Sequence, residues 1–208
     1  MKLISNNCAS AYYYKIKNLT YNHPFMWSLI DAAEFINFIK EYDNINYKNY
    51  KLFELTKNIF NNFIEIDNKI KNKRKIYGLN IDNKFNIYYT HFLYDDTKKE
   101  PINIGPDKFY YKNDEYLLSF YKKYYNLSND KPIFLVFGYE HNNWTEQKIK
   151  EIAKLNCKYK IIIISKWNII SSDNKNKLII IDDLKTGFPN PDKVIEKYIK
   201  EIDEFIKG

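Results

Sequence analysis

The stretch PIFLVFGYEHNNWTEQKIKEIAKLNCKYKIIIIS, residues 132–165, decides the fold. It opens on an unbroken apolar run, Ile133–Phe137, stopped by Gly138, and closes on a second, Ile161–Ile164. Between them Thr145–Asn156 carries Ile149, Ile152, Ala153 and Leu155 at helical spacing. A strand with one wet face alternates apolar and polar residues; a strand apolar at every position is covered on both faces. Strand, helix and strand in this order predict a parallel pair joined by a crossover helix.

Working toward the C-terminus, Lys177–Asp182 reads as a third strand. Asn190–Lys207 reads as one closing amphipathic helix with Val194, Ile195, Tyr198, Ile199, Ile202, Phe205 and Ile206 inward. Working toward the N-terminus, residues 114–126 suit a tyrosine-rich helix and Lys98–Asp107 a loop with Pro101, Gly105 and Pro106. Residues 67–95 suit strands with tight connections, including a hairpin turn at Ile81-Asp82-Asn83-Lys84. Alternation there sets Phe85, Ile87, Tyr89 and His91 on one side. Residues 51–65 fit helix or strand equally, and Asn44–Tyr50 a loop. Residues 29–41 fit a helix opened by Asp31 and Glu34, and Leu3–Ser5 a short strand. The class is α/β or α+β. One domain is expected over 1–208, with residues 1–130 and 131–208 as two parts of one core around a central mixed sheet flanked by helices.

Composition narrows the function classes. Of 208 residues 45% are apolar and 18% aromatic, ample for a packed core and unlike a disordered chain. The formal charge is +7, yet Arg74 is the only arginine. Lysine, asparagine, isoleucine and tyrosine, the residues of adenine- and thymine-rich codons, dominate together, so the charge is a weak argument for nucleic acid. The cluster Lys69–Lys75 (KIKNKRK) reads more simply as a solvated face than as a phosphate grip. Cys8 and Cys157 give no disulfide framework. No secretory leader is legible and the longest apolar runs are strand-length. The expectation is a cytoplasmic protein without membrane contact. Five scattered glycines form no phosphate-binding loop, and His23, His91 and His141 lack metal-ligand spacing, so no cofactor and no metal are expected.

The candidate chemistry lies at Ser5-Asn6-Asn7-Cys8. Ala9-Ser10-Ala11-Tyr12-Tyr13-Tyr14 follows without a breaker, so Cys8 opens a helix with Asn7 as its N-cap. Unpaired amides and the helix dipole at that end favour a thiolate, the nucleophilic form. A cysteine enzyme also needs a base, and His91, late on a strand, is the candidate. A papain-like arrangement adds a third polar group that fixes the imidazole. Asp95, about 13 Å along an extended strand, and Glu140, after the strand Ile133–Phe137, are the two candidates. The Cys8 amide, aided by Asn6 or Asn7, is a candidate oxyanion hole. The plain alternative is a buried apolar cysteine, a satisfied buried histidine at 91, a core cysteine at 157 and simple turns at His23-Pro24 and at His141-Asn142-Asn143.

Four motifs in order, Ser5-Asn6-Asn7-Cys8-Ala9-Ser10-Ala11, Pro24-Phe25-Met26-Trp27, Glu41–Leu52 and Tyr89-Thr90-His91-Phe92, carry a family likeness over about the first 140 residues. The pattern resembles the papain-like cysteine peptidases of unknown function found in bacteria and large DNA viruses, often near glycan-assembly genes. The resemblance implies a papain-like, three-layer domain with Cys8 as nucleophile, His91 as base, and Phe25 and Trp27 beside the site. With Asn6, Asn7 and Trp27 as substrate contacts, it implies a thiol hydrolase or acyltransferase acting on a peptide or on an acylated or amidated sugar. A viral or bacterial source follows, in host or bacterial cytoplasm or packaged in a virion. Family members carry paired arginines after the histidine; Tyr116–Tyr125 holds none. The opening tetrapeptide is also similar to proteins of exopolysaccharide biosynthesis, but Ala9-Ser10-Ala11 departs from the tryptophan and glycines of that group. The rival class is a non-enzymatic domain binding a protein or glycan through tyrosines.

Overall fold

A computed structural model describes residues 1–20, 23–25, 28–54, 74–75, 77–89, 94–95, 118, 121–122, 125, 131–139, 143–169, 176–182 and 190–208. Its centre is a four-stranded parallel sheet in the order β1 (Lys2–Ser5), β7 (Pro132–Gly138), β8 (Lys160–Ser165), β9 (Lys177–Ile181). Every residue of β7 is buried, as are Ile161–Ile164 of β8, which is why both runs are apolar throughout. Each such isoleucine contributes about 1.5–3 kcal/mol by leaving water. The crossover is α3 (Glu146–Lys154), whose Thr145 cap accepts the Lys148 amide at 3.3 Å.

Helices cover both faces. Phe134 and Gly138 share one face of β7. Phe134 packs against Phe35 and Phe38 of α2 (Ala32–Glu41), and a Cβ on Gly138 would collide with Ile149 of α3. Asp31 caps α2, accepting from the Ala33 amide at 2.8 Å. The opposite face meets α1 (Ala9–Ile16), α4 (Pro191–Lys197) and α5 (Ile199–Lys207). Lys160 reaches across it to the carbonyls of Phe205 and Ile206, α1 packs along α4, and Tyr13 and Lys17 both donate to Asp203 of α5. The closing helix expected over 190–207 is in fact two helices, broken at Tyr198 (φ −109°, ψ 17°). The break lets the Tyr198 hydroxyl turn to the sheet and bond Asp182.

A second, antiparallel sheet has the order β2 (Tyr50–Glu54), β4 (Tyr77–Ile81), β5 (Phe85–Tyr88). The ambiguous start of 51–65 is therefore strand. Asp82 and Asn83, both near φ +55°, make a two-residue turn of the hairpin type that suits the strand twist. Phe85, Ile87 and Tyr89 are buried and Asn86 and Tyr88 only half-buried, as alternation requires. A short pair, β3 (Arg74–Lys75) with β6 (Tyr94–Asp95), completes the strands among the described residues.

The two larger sheets meet along one seam. Leu29 exchanges both backbone hydrogen bonds with Tyr88, at 2.7 and 2.9 Å. The next residue, Ile30, donates its amide to the Asn6 carbonyl at 2.9 Å. Residues 28–30 thus stitch the end of β5 to the end of β1. The described residues contain no helix long and apolar enough to cross a membrane.

Candidate functional site

The site is built on the turn where β1 becomes α1, at the carboxyl edge of the parallel sheet, the usual place for chemistry in such sheets. After Ser5 the backbone leaves the ladder, but the Asn6 side chain stays in it. Its Oδ1 accepts the Phe137 amide at 2.7 Å, and its Nδ2 donates to the Phe137 carbonyl at 3.3 Å. The buried Asn6 amide is therefore a splice between strand ends, and its buried polar atoms are satisfied by it. Asn7 Oδ1 accepts the Ala9 amide at 2.9 Å, and the Ser5 hydroxyl both donates to the Asn7 carbonyl and accepts the Ser10 amide at 3.0 Å.

Cys8 sits at the centre of this knot with φ −71° and ψ 1°, and its carbonyl takes the Tyr12 amide at 3.2 Å to start α1. The helix cap falls on Cys8, one residue later than expected. Asn7 still supplies the capping oxygen, because its side chain reaches the amide two residues on. Part of the Cys8 residue meets solvent, but neighbouring atoms enclose its sulfur. Its ionisation departs from the sequence expectation: burial pushes the thiol up to about 12. Its own backbone amide pulls the other way, and the negative charge of Asp192, near the start of α4, adds to the rise. Desolvation outweighs the helix end, so the resting sulfur is a thiol.

Asp182 is a second polar centre on the same edge, one that sequence reading left as the end of a strand. It is fully buried. Tyr139 donates to its Oδ2 at 2.7 Å, while Lys197 and Tyr198 donate to its Oδ1, each at 2.8 Å. Burial alone would raise its carboxyl; these donors, Lys197 first, hold it below the usual value. Three donors from β7's end and from the junction of α4 and α5 thereby tie α4 to the ends of β7 and β9. The available signal was an acid closing the apolar run Leu178–Ile181, since a charge at such a place needs partners.

His23 is likewise more than a turn. It is fully buried, its Nδ1 accepts the Phe25 amide at 3.2 Å, and its Nε2 finds no hydrogen-bond partner. Its ring lies 5.9 Å from that of Tyr14. Burial drives the imidazole down to about 3 against the opposing pull of the Leu3 backbone, with a smaller push down from Lys2, so His23 is neutral.

Cys8, Asn6 and Asn7 are thus brought together. Asp95 lies on β6, paired in register with Arg74. His91, Glu140, Trp27 and His141 lie outside the described residues, as do residues 69–73 of the lysine cluster. Cys157 is half-buried and turns its sulfur to the Tyr159 carbonyl at 3.6 Å. Among the described residues no three histidine, cysteine, aspartate or glutamate side chains group as a metal would need. Compared with known families and curated proteins, the chain matches no family model and no curated sequence.

Proposed function

We propose that the chain is a thiol hydrolase or acyltransferase of the papain-like kind, with Cys8 as nucleophile and His91 as base. The observation that carries the reading is the seam. Tyr88, three residues before His91, pairs with Leu29, and Ile30 bonds to Asn6, two residues before Cys8. Two strand spacings are about 10 Å. Tyr88 and Asn6 are therefore neighbours although far apart in the sequence, and this supports a meeting of the residues that follow each of them.

A thiol raised by burial sets the order of events. His91 takes the proton as sulfur attacks the carbonyl carbon, so general-base action replaces a standing ion pair. The Cys8 amide faces the oxyanion. His91 returns the proton to the departing amine or alcohol, leaving a thioester on Cys8. Water, or an acceptor hydroxyl, then takes the acyl group and restores the thiol. The substrate is a peptide or an acylated or amidated sugar.

The test is an acetyl mark. Incubation with p-nitrophenyl acetate places acetyl on Cys8, read by peptide mass spectrometry, and His91→Ala abolishes it. A mark confined to Cys157, or a Cys8 mark unchanged in His91→Ala, contradicts the reading.

The raised thiol favours a second reading, a non-enzymatic binding domain. In that case Cys8→Ser leaves partner binding intact.

A further inference from the structure

We propose that His23 is an acid-sensitive latch on the seam between the two sheets, and that its protonation frees Phe25 and Ser28–Ile30 and uncovers the Cys8 turn. The proposal concerns regulation of the Cys8 site and in that respect rests on the thiol-enzyme reading; the latch itself does not.

The geometry leaves an added proton no place. A neutral imidazole that accepts at Nδ1 carries its hydrogen on Nε2. Here Nε2–H makes no well-formed hydrogen bond, with only the Leu3 backbone drawing on the ring, and Nδ1 is occupied by the Phe25 amide. Protonation turns Nδ1 into a donor facing another donor, so one hydrogen bond is lost and a charge appears in an apolar cage. Of the groups around the ring only the Leu3 backbone favours that charge, and burial outweighs it. Lys2 of β1 is a buried cation, Tyr14 of α1 presents its ring, and Phe25 lies 6.2 Å away. Tyr47 touches Phe25, and the Tyr89 hydroxyl holds the Pro24 carbonyl at 2.8 Å. Among the described residues no carboxylate acts on the imidazole.

The ring's position makes the consequence specific. His23 opens the stretch that continues through Ser28, bonded to the Phe25 carbonyl at 2.9 Å, into Leu29 and Ile30. Those two residues are the stitches to Tyr88 and to Asn6. An imidazolium that leaves its pocket pulls on this strap first, while β7 and β8, buried and mutually paired, are untouched. The linkage has one sign. An opened His23 binds its proton near 6.5, the closed one only near 3, so the latch is closed above pH 6.5. Below that, each pH unit favours the open form by a further factor of about ten, or about a hundredfold at pH 4.5.

Hydrogen exchange on the whole protein at pH 7 and pH 4.5, corrected for intrinsic rates, tests this. The expected result is a selective fall in protection, by up to about a hundredfold, at Phe25, Ile30 and Tyr88, with Ile161–Ile164 unchanged. His23→Gln, neutral at both pH values, removes the difference. Should that variant not fold, native protein labelled by 4,4′-dithiodipyridine, which reads thiols in acid, gives the second measurement: Cys8 accessibility rises between pH 6.5 and 4.5. Protection that is equal at the two pH values, or lost together across β7 and β8, overturns the latch. Because neither readout needs catalysis, the latch can stand if the acetyl mark fails, and the reverse.

Discussion

The Phe137 amide donates to Asn6 Oδ1 at 2.7 Å, and the Phe137 carbonyl receives Asn6 Nδ2. One side chain thereby does the work of a strand residue, and β1 can turn into α1 without leaving β7 unpaired. These two bonds tie the Cys8 turn to β7.

Asn6→Ala takes the acceptor from the buried Phe137 amide, whereas the Phe137 carbonyl keeps the Tyr139 amide at 3.3 Å. One unmet buried group costs about 1–3 kcal/mol, so a loss of about 2 kcal/mol is expected in urea unfolding. A loss under about 0.5 kcal/mol, with Phe137 amide protection unchanged, would remove Asn6 from this role.

Asp182→Ala removes the common acceptor of Tyr139, Lys197 and Tyr198. Of these donors only the Tyr139 hydroxyl is buried, and leaving it without a partner costs about 1–3 kcal/mol. The native carboxyl titrates below its ordinary value near 3.8, so its contribution is complete above that value and disappears as the pH falls through the lower native one. Urea unfolding of wild type and variant at pH 7 and at pH 2.5 should show two curves converging in acid; a constant gap contradicts the assignment.

Asp192 acts on Cys8 through its charge. Asp192→Asn should therefore ease ionisation of the thiol and speed iodoacetamide labelling of Cys8 at pH 9 by about two- to threefold, the size of one screened charge at several ångströms. The gain shrinks in 1 M salt if the effect is electrostatic. An unchanged rate would mean that Asp192 points its field elsewhere.

Asn83 holds φ 55° in the β4–β5 hairpin, where asparagine is tolerated and alanine is not. Asn83→Ala is expected to cost about 1 kcal/mol, and Asn83→Gly to cost less. Equal stability of the two variants would show that the turn is not of this type.

The parallel sheet was legible because its strands are apolar at every position and its crossover helix has a periodic face; Ile133–Phe137 and Ile161–Ile164 allow little else. The break at Tyr198 was not, because Tyr198 fits the apolar stripe and its reason to leave the helix is Asp182, sixteen residues away. The Cys8 turn was legible in outline from Asn7 and the helix after it. The direction of the thiol's ionisation was not: a helix end is a local feature, whereas the burial that overrides it comes from the fold. The role of Asn6 was invisible for the same reason, since its partner Phe137 stands 131 positions on. His23 beside Pro24 looked like any turn, and only the enclosure by Tyr14 and Phe25 distinguishes it.

The most direct test is the pH profile of Cys8 acetylation by p-nitrophenyl acetate in the native protein and in His91→Ala. If an imidazole takes the sulfur's proton, the native rate climbs through a neutral-range pKa to a plateau, and the variant keeps only a slow limb still rising above pH 10. The same slow limb in both proteins would contradict the account.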